Sequence, residues 1–192
     1  MDDMKKIAIL LLLCFVFTTG FGQTQLKQHF EKDLRNYTTA FNNKQWNTVT
    51  EMMYPPMFEM MSKDNMLMIL EQMDNLGVKM TTDFRSIDKI SKVVDYGKEK
   101  YCKIQYYGII KVKLTGLMSQ GSSLMQPQFE QEFGKENVKY NEATNSFTIQ
   151  AHRSMVAVAA KKSDNWKYID VNSPQAKGLK RLIPAKVQQQ LN

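Results

Sequence analysis

The stretch Tyr101–Leu114, YCKIQYYGIIKVKL, is the clearest β-strand pattern in the chain of 192 residues. Its apolar side chains recur at every second position and would share one face: Cys102, Ile104, Tyr106, Ile110, Val112 and Leu114. Polar side chains alternate with them on the other face: Lys103, Gln105, Lys111 and Lys113. A period of two residues predicts a strand with one face on a core.

The same period begins at Val78 and continues in the segments around this strand. Ile90–Tyr96 is the predicted partner of the strand, across a turn at residues 97–100. Phe147–Ala160 and Trp166–Val171 are two further predicted strands, and the Ser-Asp-Asn of residues 163–165 is typical of the turn that joins them. The second half of the chain therefore indicates an antiparallel sheet.

A helical period precedes the strands. Apolar side chains at steps of three or four would line one face of a first helix: Leu26, Phe30, Leu34, Tyr37 and Phe41. Asn42-Asn43 is the predicted end of that helix, and Trp46, Val49 and Met53 would face inward from a short second helix that stops before Pro55. Ser62 resembles the N-cap of a third helix that ends at Gly77.

Helices followed by antiparallel strands predict an α+β fold, with N-terminal helices packed on a curved antiparallel sheet. Residues 115–146 are rich in Ser, Gln, Gly and Asn, and they are predicted to be an inserted loop with a helical turn near Gln128–Phe133. Pro184 favours a last short helix over Ala185–Leu191. No repeat or boundary divides residues 23–192, so one domain is predicted there.

Residues 1–22 have the pattern of a cleavable signal peptide. Lys5 and Lys6 precede the apolar run Ile7–Phe17, which is too short to span a bilayer. Gly20 and Gly22 supply the small residues before a predicted cleavage between Gly22 and Gln23. Leu13 before Cys14 does not fit a lipobox, so a lipid anchor at Cys14 is not expected. The chain is predicted to be exported, periplasmic or secreted, without a membrane span in the mature part.

Charge and cysteine content narrow the chemistry. Removing the leader leaves the net charge at +7, because Lys5 and Lys6 are balanced by Asp2 and Asp3. Nucleic acid is not the expected partner, since no recognised binding motif is present and the chain is predicted to be exported. Anionic glycans, lipid headgroups or an acidic protein fit a basic surface better. Cys102 would be the only cysteine after cleavage, which leaves no intramolecular disulfide.

The segment from Tyr37 to Pro55, YTTAFNNKQWNTVTEMMYP, resembles the opening of the nuclear-transport-factor-2-like superfamily, also described as SnoaL-like or cystatin-like. Members begin with a helix that ends in an aromatic residue and an Asn or Gly, followed by a short second helix. Lys162–Asp170, KSDNWKYID, is similar to the last strands of the family. The end of the predicted leader, Phe21-Gly22-Gln23, resembles that of exported proteins of the Bacteroidetes type. The resemblance covers about two thirds of the mature chain, and the insertion at 115–146 lies outside it.

The resemblance implies a cone of sheet and helix around an apolar cavity. The expected cavity wall comprises Tyr37, Phe41, Met53, Phe58, Tyr106 and Ile110. Ketosteroid-isomerase-like members use a tyrosine of the first helix as an oxyanion donor, and Tyr37 matches that position. Their aspartate base would fall at Met61, and a thioether cannot abstract a proton. No catalytic residue is therefore assigned, and Tyr37 is interpreted as a core tyrosine.

Metal and cofactor patterns are missing from the sequence. His29 and His152 form no zinc motif, and Cys102 resembles a buried apolar residue. No nucleophile-elbow, P-loop or dinucleotide fingerprint occurs, so neither a metal nor a cofactor is predicted. Nine methionines crowd residues 52–80: Met52, Met53, Met57, Met60, Met61, Met66, Met68, Met73 and Met80. Thioethers bind Cu(I), but their helical spacing beside Phe58 and Ile69 favours packing or an adaptable ligand wall.

Three functions remain open from the sequence. The favoured one is a non-enzymatic exported domain that binds a small apolar ligand or a protein partner, with a homodimer as one form of the latter. The second is an enzyme of the same fold, a lyase, isomerase or hydrolase that uses Tyr37 with His29 and Asp33, or with Glu59. The third is a structural module of the envelope whose cavity is filled by its own side chains.

Overall fold

The computed structural model describes residues 18–172 and 176–191. The apolar run of the predicted leader and Cys14 lie outside the described residues. Helix α1, Thr18–Asn42, begins before the predicted cleavage position and continues through it without a break. None of the helices in the described part combines the length and the apolar character that a membrane crossing requires.

The helices before the sheet end close to where the sequence predicts, although the first begins earlier, at Thr18, and the second stops at Glu51, short of Met53. They are α1 (Thr18–Asn42), α2 (Trp46–Glu51), a 3₁₀ turn (Pro55–Glu59) and α3 (Lys63–Asn75). The Ser62 side chain accepts a hydrogen bond from the backbone N–H of Asn65 at 3.2 Å, which makes it the N-cap of α3. Gly77 ends this region with φ of 86°, a left-handed conformation that favours glycine.

Six antiparallel strands form one curved sheet: β1 (Val78–Ile90), β2 (Val94–Tyr96), β3 (Glu99–Leu114), β4 (Val138–Asn141), β5 (Ser146–Ala160) and β6 (Lys167–Asp170). The strand order is β1-β3-β5-β4, with β2 paired to β3 and β6 paired to β5. The predicted partner of β3 is thus only partly correct. Val94–Tyr96 forms the expected hairpin with β3, but the long partner is β1, whose register shifts twice near its end.

Both faces of the sheet carry apolar clusters, because helices cover each face in a different place. The inner face of β3 packs through Cys102 and Ile104 against Phe30 and Leu34 of α1. On the outer face, Tyr101 packs with a C-terminal helix, α6 (Ala185–Leu191), after the short α5 (Ala176–Leu179) and a 3₁₀ turn (Lys180–Leu182). Alternation predicts the inner face correctly, whereas the burial of Tyr101 depends on a helix from the far end of the chain.

The insertion at 115–146 is more ordered than the loop predicted for it. It contains a 3₁₀ turn (Gly116–Gly121), helix α4 (Ser122–Phe133), a second 3₁₀ turn (Lys135–Asn137) and strand β4. Phe129 and Phe133 of α4 join the apolar cluster around Phe147, and the Phe129 and Phe147 rings meet edge to face with centroids 5.1 Å apart. The helical turn predicted near Gln128–Phe133 lies within α4, but the prediction of a loop for the rest is wrong because Pro127 and the polar composition hide this packing from the sequence pattern.

The methionine cluster divides between the interior and the surface. Met53 and Met57 are half-buried, but Met60, Met61 and Met68 are exposed at 56%, 40% and 52%. Helix α3 has no fully buried residue, so its apolar side chains are at most partly buried against the neighbouring elements. The expectation that the methionines at 57–61 pack as a helical stripe is therefore wrong for Met60 and Met61. The reason is that the 3₁₀ turn at Pro55–Glu59 ends just before them and breaks the helical phase.

Candidate functional site

A cavity lies between α1, the 3₁₀ turn at Pro55–Glu59 and the inner face of the sheet. It has two compartments, of about 120 Å³ and about 170 Å³, which share Tyr37, Tyr106 and Asp170 as lining residues. The smaller compartment is otherwise lined by apolar side chains and one tyrosine: Leu34, Met52, Met53, Met57, Met155 and Tyr168. The larger one extends to the insertion, where Phe133 of α4 forms part of its wall.

Five of the six residues expected in the cavity wall line this space. Tyr37 and Tyr106 border both compartments, Phe41 and Ile110 border the larger one, and Met53 borders the smaller one. Phe58 lines neither compartment, so that part of the expected wall is wrong. The 3₁₀ turn has three residues per turn and breaks the helical phase after Met53, and it presents Met57 to the cavity in place of Phe58.

Tyr37 and Tyr106 border both compartments, and neither hydroxyl forms a hydrogen bond with another residue in the described part of the chain. Since no fully buried side-chain nitrogen or oxygen atom there lacks a partner, both hydroxyl oxygens keep some accessible surface. Burial, reinforced by the nearby charge of Asp170, raises the pKa of Tyr37 to about 12. The same two causes raise the pKa of Tyr106 further. Both phenols are therefore neutral hydrogen-bond donors at physiological pH.

A charged network borders the same cavity, and it is the feature that the sequence analysis missed. Arg153 of β5 donates from Nη2 to Oδ2 of Asp170 at 2.6 Å and from Nη1 to Oε1 of Glu132 at 2.7 Å. Its guanidinium lies 5.3 Å from the centre of the Phe133 ring. The backbone N–H of Asn172 donates to the other Asp170 oxygen at 2.8 Å. Two carboxylates therefore surround one cation, and the Arg153 side chain is only 12% exposed.

A signal for this network was present in the alternation of β5. Arg153 lies directly opposite Tyr106 in the register, in phase with the inward Ala151 and Met155. An arginine at an apolar position of a strand needs a buried counter-charge. Asp170 of β6 lies opposite Met155 of β5, so its side chain is on the same face of the sheet as Arg153. Glu132 could not be found in this way, because it comes from the insertion that was expected to be a loop.

The acid and base candidates of the enzyme alternative do not line the cavity. His29 and Asp33 contact each other at 3.4 Å between Nε2 and Oδ2, as their spacing of four residues suggests. Asp33 also accepts a hydrogen bond from the Tyr168 hydroxyl, which raises the pKa of Tyr168 beyond the effect of its burial. Glu59 is exposed on the 3₁₀ turn. Neither the His29–Asp33 pair nor Glu59 therefore lies inside the cavity with Tyr37.

Cys102 is buried in the cluster between α1 and the sheet, on the face that the strand pattern predicts. Burial raises the pKa of its thiol to about 11, and contacts with Ser91 oppose the rise only in part. A thiol with so small a thiolate fraction at neutral pH is a poor nucleophile. Among residues 18–172 and 176–191, no group of three or more His, Cys, Asp or Glu side chains is placed to hold a metal ion.

Comparisons with known proteins add no family to this picture. No family model, no curated protein and no solved structure matches the chain.

Proposed function

We propose that this chain is an exported, non-enzymatic binding domain that holds a small, neutral and largely apolar molecule in the α1 cavity. The observation that carries the proposal is that Tyr37 and Tyr106 border both compartments and that their hydroxyls have no protein acceptor in the described part of the chain. A ligand oxygen between them would satisfy both donors. Apolar walls around a few converging polar groups are the usual composition of a small-molecule site.

The charges around the cavity favour a neutral ligand over an anion. Arg153 is the one cation among the residues that line either compartment, and it is engaged by both Asp170 and Glu132. An anionic headgroup would add a third negative charge to this site without an unpaired cation to receive it. A carbonyl or ether oxygen accepts from the phenols at no such cost.

The size of the cavity limits the ligand further. Pockets for drug-sized ligands begin at about 300 Å³, whereas an apolar cavity of about 150 Å³ accommodates benzene. The 120 and 170 Å³ compartments therefore suit a molecule close to benzene in size. This free volume also argues against the structural-module alternative, in which the side chains of the domain would fill it.

The family assignment is part of the proposal. The curved antiparallel sheet with α1 across its inner face is what a nuclear-transport-factor-2-like cone requires. The Asn42 amide supports it locally, because it donates to the Thr82 carbonyl and accepts from the Thr82 N–H, both at 2.8 Å. These bonds hold the end of α1 against the edge strand β1. We propose the superfamily on this arrangement together with the resemblance of residues 37–55.

Three ligands of one shape test the binding function. We expect acetophenone to bind more tightly than ethylbenzene, which lacks the oxygen, and benzoate to bind most weakly. In Tyr37→Phe/Tyr106→Phe the acetophenone affinity should fall to that of ethylbenzene, a loss of about tenfold for two hydrogen bonds of roughly 0.5–1 kcal/mol each. Isothermal titration calorimetry measures all three affinities. Tightest binding by benzoate, or an unchanged order in the double variant, would contradict the proposal.

A specific observation favours one enzymatic alternative, with Asp170 as the base in place of His29, Asp33 or Glu59. Its carboxylate borders both compartments beside two phenols that could stabilise an enolate. Such an enzyme would exchange the methyl protons of acetophenone for deuterium in D₂O, and Asp170→Asn would abolish the exchange. It would also lose about a hundredfold or more in rate with Tyr37→Phe alone. The binding function predicts exchange at the protein-free rate, which proton NMR measures.

A protein partner, including a second copy of the chain, is the other alternative, and it would use exposed apolar side chains. Exposed apolar side chains occur on α3 and on the insertion, among them Ile69, Leu76, Leu117 and Leu124. Leu117 is 94% exposed and Leu124 is 72% exposed. Apolar side chains in such positions are common at contact surfaces. They lie outside the cavity, so such contacts and ligand binding are compatible.

The export component has its own test. The leader pattern predicts that protein recovered outside the cytoplasm begins at Gln23, with or without cyclisation of that glutamine. Intact-mass measurement identifies the terminus. Retention of the first 22 residues, or an acyl group on Cys14, would contradict export by cleavage between Gly22 and Gln23.

A further inference from the structure

The outer face of the sheet carries a cluster of lysines at the end that α6 does not cover. The cluster comprises Lys79 on β1, Lys111 and Lys113 on β3, and Lys139 on β4, all exposed. Lys79 lies directly opposite Lys113. Lys111 lies opposite Thr148, which in turn lies opposite Lys139. Residues opposite each other in an antiparallel sheet point to the same face, so the four ammonium groups share one surface.

This lysine face has little neutralising charge. None of the four lysines forms an ion pair within the described residues. The acidic neighbours on the face are engaged elsewhere, because Asp83 pairs with Arg85 at 2.8 Å and Asp88 contacts His152 at 3.5 Å. Glu142, in the turn after β4, is exposed and forms no ion pair with any of the four lysines in the described part of the chain. Like charges opposite each other destabilise a sheet, and an anionic ligand would relieve the repulsion between Lys79 and Lys113.

The side chains next to the lysines on this face include several that carry hydroxyl groups. Thr81, Thr148 and Ser146 lie in the same rows of the sheet as the lysines. Beside them an open groove of about 470 Å³ runs along the edge of β1. Its lining includes Arg35, Thr38, Thr39 and Asn42 of α1 together with Thr81, Lys111 and Asp83, the carboxylate that Arg85 pairs. The cationic surface therefore continues into a channel whose walls offer hydroxyl and amide groups.

We propose that the lysine face and this groove bind an acidic polysaccharide, with the lysines on its carboxylate or sulfate groups and the threonine hydroxyls on its sugar oxygens. A membrane surface is disfavoured because these rows present no large exposed apolar side chain that could insert. An acidic protein is disfavoured because aromatic anchors, typical of protein contacts, are missing from the lysine rows. Single-stranded nucleic acid would need stacking aromatics that the rows also lack.

The test compares two double variants of the purified full chain. Lys111→Gln/Lys113→Gln removes two charges from the lysine face, and Lys27→Gln/Lys32→Gln removes two exposed charges from α1, so both lower the net charge of +7 equally. The probe is an oligogalacturonate, with polyglutamate, phosphatidylglycerol vesicles and a neutral malto-oligosaccharide for comparison. We expect oligogalacturonate binding to weaken about tenfold or more in the β3 variant and by less than about twofold in the α1 variant.

Binding is measured by calorimetry at two salt concentrations. Three outcomes would each count against a stated part of the proposal. Equal losses in both double variants would mean that net charge alone drives binding, and would overturn the proposal. Polyglutamate or vesicles that bind as tightly as the oligogalacturonate would overturn the choice of polysaccharide. Failure of the wild type to bind the oligogalacturonate would overturn the site. Because the cavity is on the opposite face, acetophenone affinity should be unchanged in both variants, which separates this proposal from the binding function.

Discussion

Arg153→Met should destabilise the domain by about 2–3 kcal/mol, measured by urea unfolding, because it leaves Asp170 and Glu132 facing each other without a cation. Removing one partner of a fully buried ion pair costs about 3–5 kcal/mol. The lower value reflects the exposure of the two carboxylates, at 41% for Asp170 and 28% for Glu132. Methionine retains a long side chain that can still pack on Phe133, so the change tests charge more than volume.

Two further variants separate charge from packing. Arg85→Met removes an exposed pair with Asp83 and should cost less than about 0.5 kcal/mol. Adding Glu132→Gln and Asp170→Asn to Arg153→Met should recover at least half of the lost stability, because no uncompensated charge then remains. A triple variant as unstable as Arg153→Met alone would mean that the arginine acts through packing, and the electrostatic account of the cavity wall would be wrong.

Ala151→Leu should abolish ligand binding with little change in stability. Ala151 is buried in the wall of the 170 Å³ compartment, and three added carbon atoms would occupy the space that the ligand requires. Overpacking of a filled core costs about 1–3 kcal/mol, but here the added atoms enter free volume, so we expect a change within about 1 kcal/mol. Acetophenone affinity should fall at least about 30-fold, the equivalent of roughly 2 kcal/mol.

The control is the same substitution at the end of the same strand. Ala160 is exposed, and Ala160→Leu should leave both affinity and stability near those of the wild type. Circular dichroism establishes that each variant is folded before binding is measured. Acetophenone binding that survives in a folded Ala151→Leu variant would show that the ligand occupies another place on the molecule.

Local signals in the sequence predict much of the fold. The strand around Ile104 follows from strict alternation, the start of α3 from the cap at Ser62, and the last helix from Pro184. These features depend on neighbours within a few residues. The cavity wall at Tyr37 and Tyr106 is instead predicted from the family resemblance. Both residues line the cavity of the structure, on an α-helix and a β-strand whose phases are regular.

The wrong predictions concern residues whose position or burial is determined by distant contacts or irregular turns. Phe58 is misplaced because a 3₁₀ turn changes the phase after Pro55, and Tyr101 is buried because α6 covers the outer face. Arg153 was visible as a charge in an apolar phase, but its partner Glu132 depends on the fold of the insertion. Polar groups in a cavity are difficult to predict for this reason, since each comes from a different segment.

The methionines provide the most direct test of the central claim, that a small neutral molecule binds inside the α1 cavity. Met53 and Met57 line the smaller compartment and Met80 lines the larger one, whereas Met60, Met61 and Met68 are exposed on the surface. With ¹³C-labelled methionine methyl groups, a titration with acetophenone should shift the Met80 signal, together with those of Met53 and Met57, in a saturable way and show nuclear Overhauser contacts to the ligand. Shifts confined to Met60, Met61 and Met68, or no saturable shift at all, would contradict the account.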